Sequence, residues 1–367
     1  MNRKARLILS GILILIILFF ALLLLNKSSN LSQTLLGRFL QVELLDQEGA
    51  VNTRETVVRL LPSEGKVLSV QPHSYMTIDP DATENATAIT APVSDAHVAT
   101  ANGYLLFYQQ MGQSLKLWRK DKEVCSIDTE FAILSASVNE DGDMVVITED
   151  SGHKSVILVY HRNGELVYRW HSGANLATHA SLSADRNELA VCTLSLEHTV
   201  PQATLYLFNI HRTEPILQKD LGQRIPTFTD MSEKDLVVVG FSDGVCAFRR
   251  NGEAVYNIEC SGTLKNWSLS DPYAPCLLVS EGGTDVLYFY DKDEVAHRHD
   301  SATELNLLST YKNLAVVSGI NRIQLIDRHA RVLATFDADH EVREICMLDK
   351  KTVAYSTGNE VQFLSIR

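Results

Sequence analysis

The segment Arg162-Asn163-Gly164-Glu165-Leu166-Val167-Tyr168 recurs as Arg250-Asn251-Gly252-Glu253-Ala254-Val255-Tyr256, with six of seven residues identical and an offset of 250 − 162 = 88. Asn-Gly between apolar, β-branched runs predicts a two-residue hairpin with positive φ at both turn positions. An apolar residue closing the strand before such a hairpin recurs at Trp118, Tyr160, Phe208, Phe248, Tyr290, Ile326 and Leu364, with spacings of 42, 48, 40, 42, 36 and 38 that average 41. The offset of 88 is thus two periods. A chain built this way repeats one supersecondary unit, and that excludes most single-core folds.

A second mark lies in the other half of each unit. Ser137-Val138-Asn139-Glu140-Asp141-Gly142 runs into Met144-Val145-Val146-Ile147, and Ser181-Leu182-Ser183-Ala184-Asp185 runs into Leu189-Ala190-Val191. Met231-Ser232 before Leu236 and Ser268-Leu269-Ser270 before Leu277 continue the series. Each unit reads strand, turn, apolar strand, loop, strand, hairpin, strand. Four strands in about 41 residues is the period of a β-propeller blade, so the expected fold is all-β, a propeller of about seven four-stranded blades over residues 94–367. The seventh unit supplies only three strands, within 341–348, 352–356 and 361–366, so an N-terminal strand must close the ring and cover its edge. Residues 39–45, 56–61 and 66–70 are candidates, with 56–61 the expected choice. Residues 72–93, rich in turn formers such as Asp79-Pro80-Asp81, read as a link to the first blade.

Tyr160-His161-Arg162-Asn163-Gly164-Glu165-Leu166-Val167-Tyr168 resembles the quinoprotein blade pattern, with Tyr168 and Tyr256 where tryptophan is usual, and Ser181-Leu182-Ser183-Ala184-Asp185 resembles the Ser-Pro-Asp-Gly turn of WD-type blades. The chain therefore resembles bacterial membrane-anchored β-propellers of the WD-repeat and quinoprotein-like superfamily, an uncharacterised envelope subgroup. The resemblance covers about residues 94–367. It implies a non-enzymatic propeller without a cofactor, because the adjacent cysteine pair and calcium cluster of quinoprotein dehydrogenases are missing.

Residues 7–25 are an unbroken apolar run of nineteen, long enough at 1.5 Å per residue to cross about 28 Å of hydrocarbon. Arg3, Lys4 and Arg6 precede it, only Lys27 follows closely, and no small-x-small cleavage site ends it. The expected order is a cytoplasmic tail (1–6), a transmembrane signal-anchor helix (7–25), a tether (26–36), an N-terminal segment with the ring-closing strand (37–93) and an extracytoplasmic propeller. The first 36 residues carry four basic side chains and no acid, so the remainder sums to −12 − 4 = −16. Such a domain is a poor partner for nucleic acid or anionic lipid. The six cysteines, Cys125, Cys192, Cys246, Cys260, Cys276 and Cys346, are singly placed within largely apolar runs and read as buried thiols.

No nucleophile elbow, phosphate loop or dinucleotide fingerprint is present, and no metal ligand set emerges from spacing. His297-Arg298-His299 would share a strand face but reads as surface; Asn139-Glu140-Asp141-Gly142-Asp143 and Asp291-Lys292-Asp293-Glu294 read as turns, not calcium loops. The loops between second and third strands, at 149–154, 196–203, 242–243, 281–285 and 319–322, present Glu149, Asp150, Glu197, His198, Asp243, Glu281 and Asp285 as candidate binding-face residues. The expected function is a binding or scaffolding platform for a protein or peptide of the cell envelope. A polysaccharide hydrolase or lyase with paired channel acids, or a sensor subunit of a membrane complex, are the alternatives.

Overall fold

The computed structural model describes residues 44–46, 50–93, 95–195, 197, 200–231 and 235–366. Eight antiparallel sheets make up the blades: seven are four-stranded meanders that follow one another along the chain, and the eighth joins the last three described strands to two short strands within 44–52. Blades 1 to 7 begin with innermost strands Arg59–Ser63, Ala96–Ala101, Ile133–Val138, Leu176–Leu182, Pro226–Asp230, Thr263–Ser268 and Leu307–Tyr311, and blade 8 begins with Glu344–Met347. Innermost strands of successive blades lie side by side, except that blades 5 and 6 meet through their apolar cluster, and that of blade 8 lies beside that of blade 1. The ring is closed.

Burial follows strand position. In blade 3 the second and third strands, Met144–Thr148 and Ser155–Tyr160, are buried at every residue, whereas the fourth strand of blade 4, Pro215–Gly222, alternates between half-buried and exposed. Strands covered on both faces need continuous apolar sequence, and an outer strand needs only every second residue. Because side chains alternate across a strand, Val145 and Ile147 pack toward blade 4 while Met144 and Val146 pack toward blade 2. Eight apolar clusters result, one at each junction between neighbouring blades. The junction that closes the ring joins Val57, Leu60, Val67 and Ile78 to Leu348, Val361 and Phe363.

Serines stitch the inner wall. Ser135 and Ser137 donate to the carbonyls of Thr178 and Ala180 at 3.2 and 2.8 Å, and Ser181 and Ser309 accept from the N–H groups of Met231 and Met347 at 3.1 and 3.0 Å. Each bond crosses from one blade to the next, where an inner strand otherwise has a row of unpaired backbone groups.

The propeller has eight blades where the sequence predicts about seven. The additional one is residues 59–90, and its third and fourth strands, Ser74–Ile78 and Ala88–Thr90, occupy the segment expected to be a link. Residues 56–61 do not supply the strand that completes the last blade. Arg59–Ser63 pairs instead with Lys66–Val70 across Glu64-Gly65, both at positive φ (49° and 78°), since a two-residue hairpin forms at far lower entropic cost than a strand brought across the whole chain. The edge of Glu360–Ile366 is covered by Leu44–Asp46, in register from Leu44↔Ile366 to Asp46↔Leu364, and by Val51–Asn52, with Val51 opposite Val361.

The repeated Asn-Gly turns also differ from expectation. Only Gly164 (φ 88°) and Gly252 (φ 85°) have positive φ, and Asn163 and Asn251 do not. Gly164 N–H bonds the His161 carbonyl and Gly252 N–H that of Arg249, both at 2.8 Å, while each asparagine Oδ1 accepts from the N–H two residues on. This is a three-residue loop with a glycine bulge, and the register shift beside it is the same in both copies. The expected two-residue geometry occurs at Asn102-Gly103 (φ 44° and 75°). All six cysteines are free, four of them buried, and burial pushes the Cys192 thiol up to about 12.

No helix among the described residues is long and apolar enough to cross a membrane; residues 7–25 lie outside them, as do the expected tail and tether.

Candidate functional site

An antiparallel meander puts the hairpins after first and third strands at one end of the ring, and the second-to-third loops with the connections between blades at the other. The inner strands of blades 1 to 5 border an open cavity of about 670 Å³, walled by Arg59, Ser137, His179, Thr229 and the half-exposed ring of Phe228 among others. Phe228 is held edge-on to Trp267 with ring centres 5.0 Å apart. Burial keeps His179 below the usual histidine range, so this wall presents a neutral imidazole. A rigid-walled channel of this size with mixed polar and apolar lining suits an extended peptide or a solvated small molecule.

Of the candidate acids, Glu149, Asp150, Glu197 and Asp243 lie in second-to-third loops, whereas Glu281 ends the second strand and Asp285 lies near the start of the third strand of blade 6, and no ion pair among the described residues joins one of these loops to another. Asp243 accepts from Arg224 Nε at 2.9 Å. Arg224, 8% exposed, also bonds Asn257 Oδ1 and the Ile258 carbonyl and lies 3.8 Å over the Phe241 ring, so the pair ties an inter-blade connection to blade 5. Asp285, 6% exposed, accepts from Lys265 Nζ at 3.0 Å and the Leu305 N–H at 2.7 Å. Burial pushes its carboxyl up, but the Leu305 N–H and Lys265 outweigh this and hold it below the usual range. Glu281 is lowered first by the Ser261 hydroxyl at 2.5 Å and then by the Tyr288 hydroxyl at 2.8 Å. Glu149 and Glu197 are exposed, and His198 lies outside the described residues. Asp243, Glu281 and Asp285 thus brace turns and connections through partners of their own.

Asp150 is the exception, because two histidines converge on it. Its Oδ2 lies 2.5 Å from His153 Nδ1 and 3.2 Å from His171 Nδ1, and the two rings are centred 4.6 Å apart. The carboxylate is 11% exposed and the imidazoles 42% and 40%. The hydrogen bond from His153, with those from His171 and the N–H groups of Ser151 and Gly152, outweighs burial and holds the Asp150 carboxyl below the usual range. Sheet register does the positioning. His171 stands opposite Val156 and Ser172 opposite Ser155, so the last residues of the outer strand Leu166–Ser172 meet the loop that opens the third strand. Asp150-x-x-His153 was a visible spacing; His171 became a neighbour only through the pairing of two strands.

The other sequence features resolve into structure. His297 and His299 do share a face, but it is half-buried, with His297 Nε2 3.2 Å from His329 Nδ1 of the next blade. Within Asn139-Glu140-Asp141-Gly142-Asp143, Asn139 Oδ1 accepts from the N–H groups of Asp141 and Asp143, and both aspartates pair with Arg186 of blade 4 at 3.0 Å. The turn reading of this segment holds, with an inter-blade ion pair added.

The chain belongs to DUF5711, a family of unknown function, by a match over residues 63–366. No curated protein matches it in sequence. Among solved structures it is similar to BamB from Moraxella catarrhalis, at 12% identity and a TM-score of 0.58 over 88% of this chain and 100% of that one. It is similar also to the Dos1 propeller, at 12% identity and 0.63 over 88% and 95%, and to the C-terminal WD40 domain of Sif2, at 10% and 0.61 over 89% and 98%. At these identities the likeness establishes the propeller fold.

Proposed function

We propose that this chain is a membrane-tethered, extracytoplasmic propeller that serves as a protein-binding or scaffolding platform in the cell envelope. The carrying observation is the closed eight-bladed ring, which holds loops at two ends and a channel of about 670 Å³ in a fixed arrangement. Rigid loops need little ordering on association, which favours binding. A binding or scaffold role is also what the likeness to BamB and WD40 propellers suggests. The tether rests on residues 7–25 and the Arg3, Lys4 and Arg6 charge bias.

Two measurements test this on the full chain in its cell. Protease added outside protoplasts or spheroplasts should digest the propeller while fragments retaining residues 1–25 stay with the membrane; recovery of a soluble, N-terminally trimmed form as the main species refutes the anchor. A photo-crosslinking residue placed at Phe228, at the channel, should give a discrete protein adduct that the same group at exposed Val124, on an outer strand, does not. Equal or absent adducts at both positions refute a channel-centred platform.

A further inference from the structure

We propose that Asp150, His153 and His171 form a binding site for a divalent transition-metal ion, Zn²⁺ foremost, with a coordination position left open to solvent. They are the one group of three or more potential metal-ligating side chains that comes together among the described residues, with all ligand atoms within 4.8 Å of one another. Two ligands each about 2.0–2.1 Å from a tetrahedral ion stand roughly 3.3 Å apart. His171 Nδ1 and Asp150 Oδ2 are already at 3.2 Å, and His153 Nδ1, at 2.5 Å, needs to withdraw by less than an ångström. Both imidazoles direct the same kind of nitrogen, Nδ1, at one carboxylate oxygen, which leaves room for an ion to replace the shared hydrogen bonds.

The donor chemistry selects the ion. Two imidazole nitrogens and one carboxylate oxygen suit Zn²⁺, and also Co²⁺, Ni²⁺ or Cu²⁺, better than Ca²⁺ or Mg²⁺, which favour oxygen donors throughout. The surroundings hold the ligands in place. The N–H groups of Ser151 and Gly152 bond the Asp150 carboxylate, the outer support that a metal-ligating carboxylate ordinarily has. The Lys154 N–H bonds the Ser172 carbonyl at 2.9 Å and closes the loop on the strand that carries His171. Three protein ligands with exposed imidazoles leave a fourth position for water or for a donor from another molecule. On a platform protein, that position would let a partner's histidine or carboxylate bind through the metal.

The test uses the full chain, stripped with chelator and titrated with Co²⁺, whose absorption reports both geometry and donor type. One equivalent should bind and give visible ligand-field bands without a thiolate charge-transfer band, and Zn²⁺ should displace it. His153→Ala and His171→Ala should each weaken binding at least about tenfold. The double variant His297→Ala/His329→Ala should bind as the parent does. Because both ligand histidines are exposed, these variants should melt as the parent does without metal, and only the parent should gain melting temperature with Zn²⁺. Absence of stoichiometric Co²⁺ binding, undiminished binding by both single variants, or a thiolate band showing that the free cysteines hold the ion would each overturn the proposal.

Discussion

Glu344 shows how a single side chain senses ring closure. It begins the innermost strand of blade 8, and its Oε2 accepts from the Leu60 N–H of blade 1 at 3.4 Å. Burial pushes its carboxyl up, against the smaller lowering by Leu60 and Arg59. A carboxyl with a raised folded pKa binds more protons folded than unfolded, so stability falls as pH rises from its unfolded value, about 4.3, through the raised one. Glu344→Gln keeps an acceptor for Leu60 and removes the buried charge. Its melting temperature should exceed the parent's at neutral pH, with the margin closing toward acid; a pH-independent margin, or one largest in acid, contradicts this. The two repeat glycines allow a matched comparison. Gly164 and Gly252 share φ near 86°, where a β-carbon costs about 1 kcal/mol, but a β-carbon at Gly252 meets Leu217 Cδ1 at 2.9 Å while at Gly164 the nearest atom is 3.7 Å away. Both alanine variants should lose stability in chemical denaturation, Gly252→Ala more than Gly164→Ala. Equal losses would mean that Leu217 gives way freely.

Elements were legible where their pattern was repetitive and obscure where it was short. Trp118, Tyr160, Phe208, Phe248, Tyr290, Ile326 and Leu364 all lie on third strands of successive blades. One more step back, 118 − 40 = 78, reaches Ile78 at the end of the third strand of blade 1. That blade escaped notice because Asp79-Pro80-Asp81 follows at once and its outer strand has only three residues, Ala88–Thr90. Closure was misplaced for a related reason, since Leu44–Asp46 and Val51–Asn52 are too short to carry a period. Their removal has a definite consequence. A chain trimmed to begin at residue 57 keeps all of blade 1 but bares the edge of Glu360–Ile366 and loses Val51 from the closing cluster. It should melt well below the parent and self-associate, measured by calorimetry and light scattering; an equally stable monomer would show that blade 8 needs no fourth strand.

For the whole molecule, a ring has no end blade to fray. Losing any one blade opens two apolar junctions at once, unlike an open array whose terminal repeat opens only one. The described domain should therefore unfold in one calorimetric transition, and two resolved transitions would show that part of the ring separates from the rest. The candidate site was less legible than the ring. Its acids could be placed on or beside second-to-third loops from the period, but their partners could not: Arg224, Lys265 and His171 reach Asp243, Asp285 and Asp150 from separate strands and connections, by register and by contact between blades.

The clasp between Leu44–Asp46 and Glu360–Ile366 also imposes an order in time. Its partners are 366 − 44 = 322 residues apart, so the strand made earlier must wait until Glu360–Ile366 has been made. Seven blades can assemble as they emerge, each from neighbours in sequence, but the final seam joins the most distant segments and is the slowest kind of contact to form. Until then the nascent chain carries two sticky apolar flanks. A ribosome that falters before Glu360 would leave an unfastened ring, marked for proteases by the same surfaces that in the finished protein meet each other.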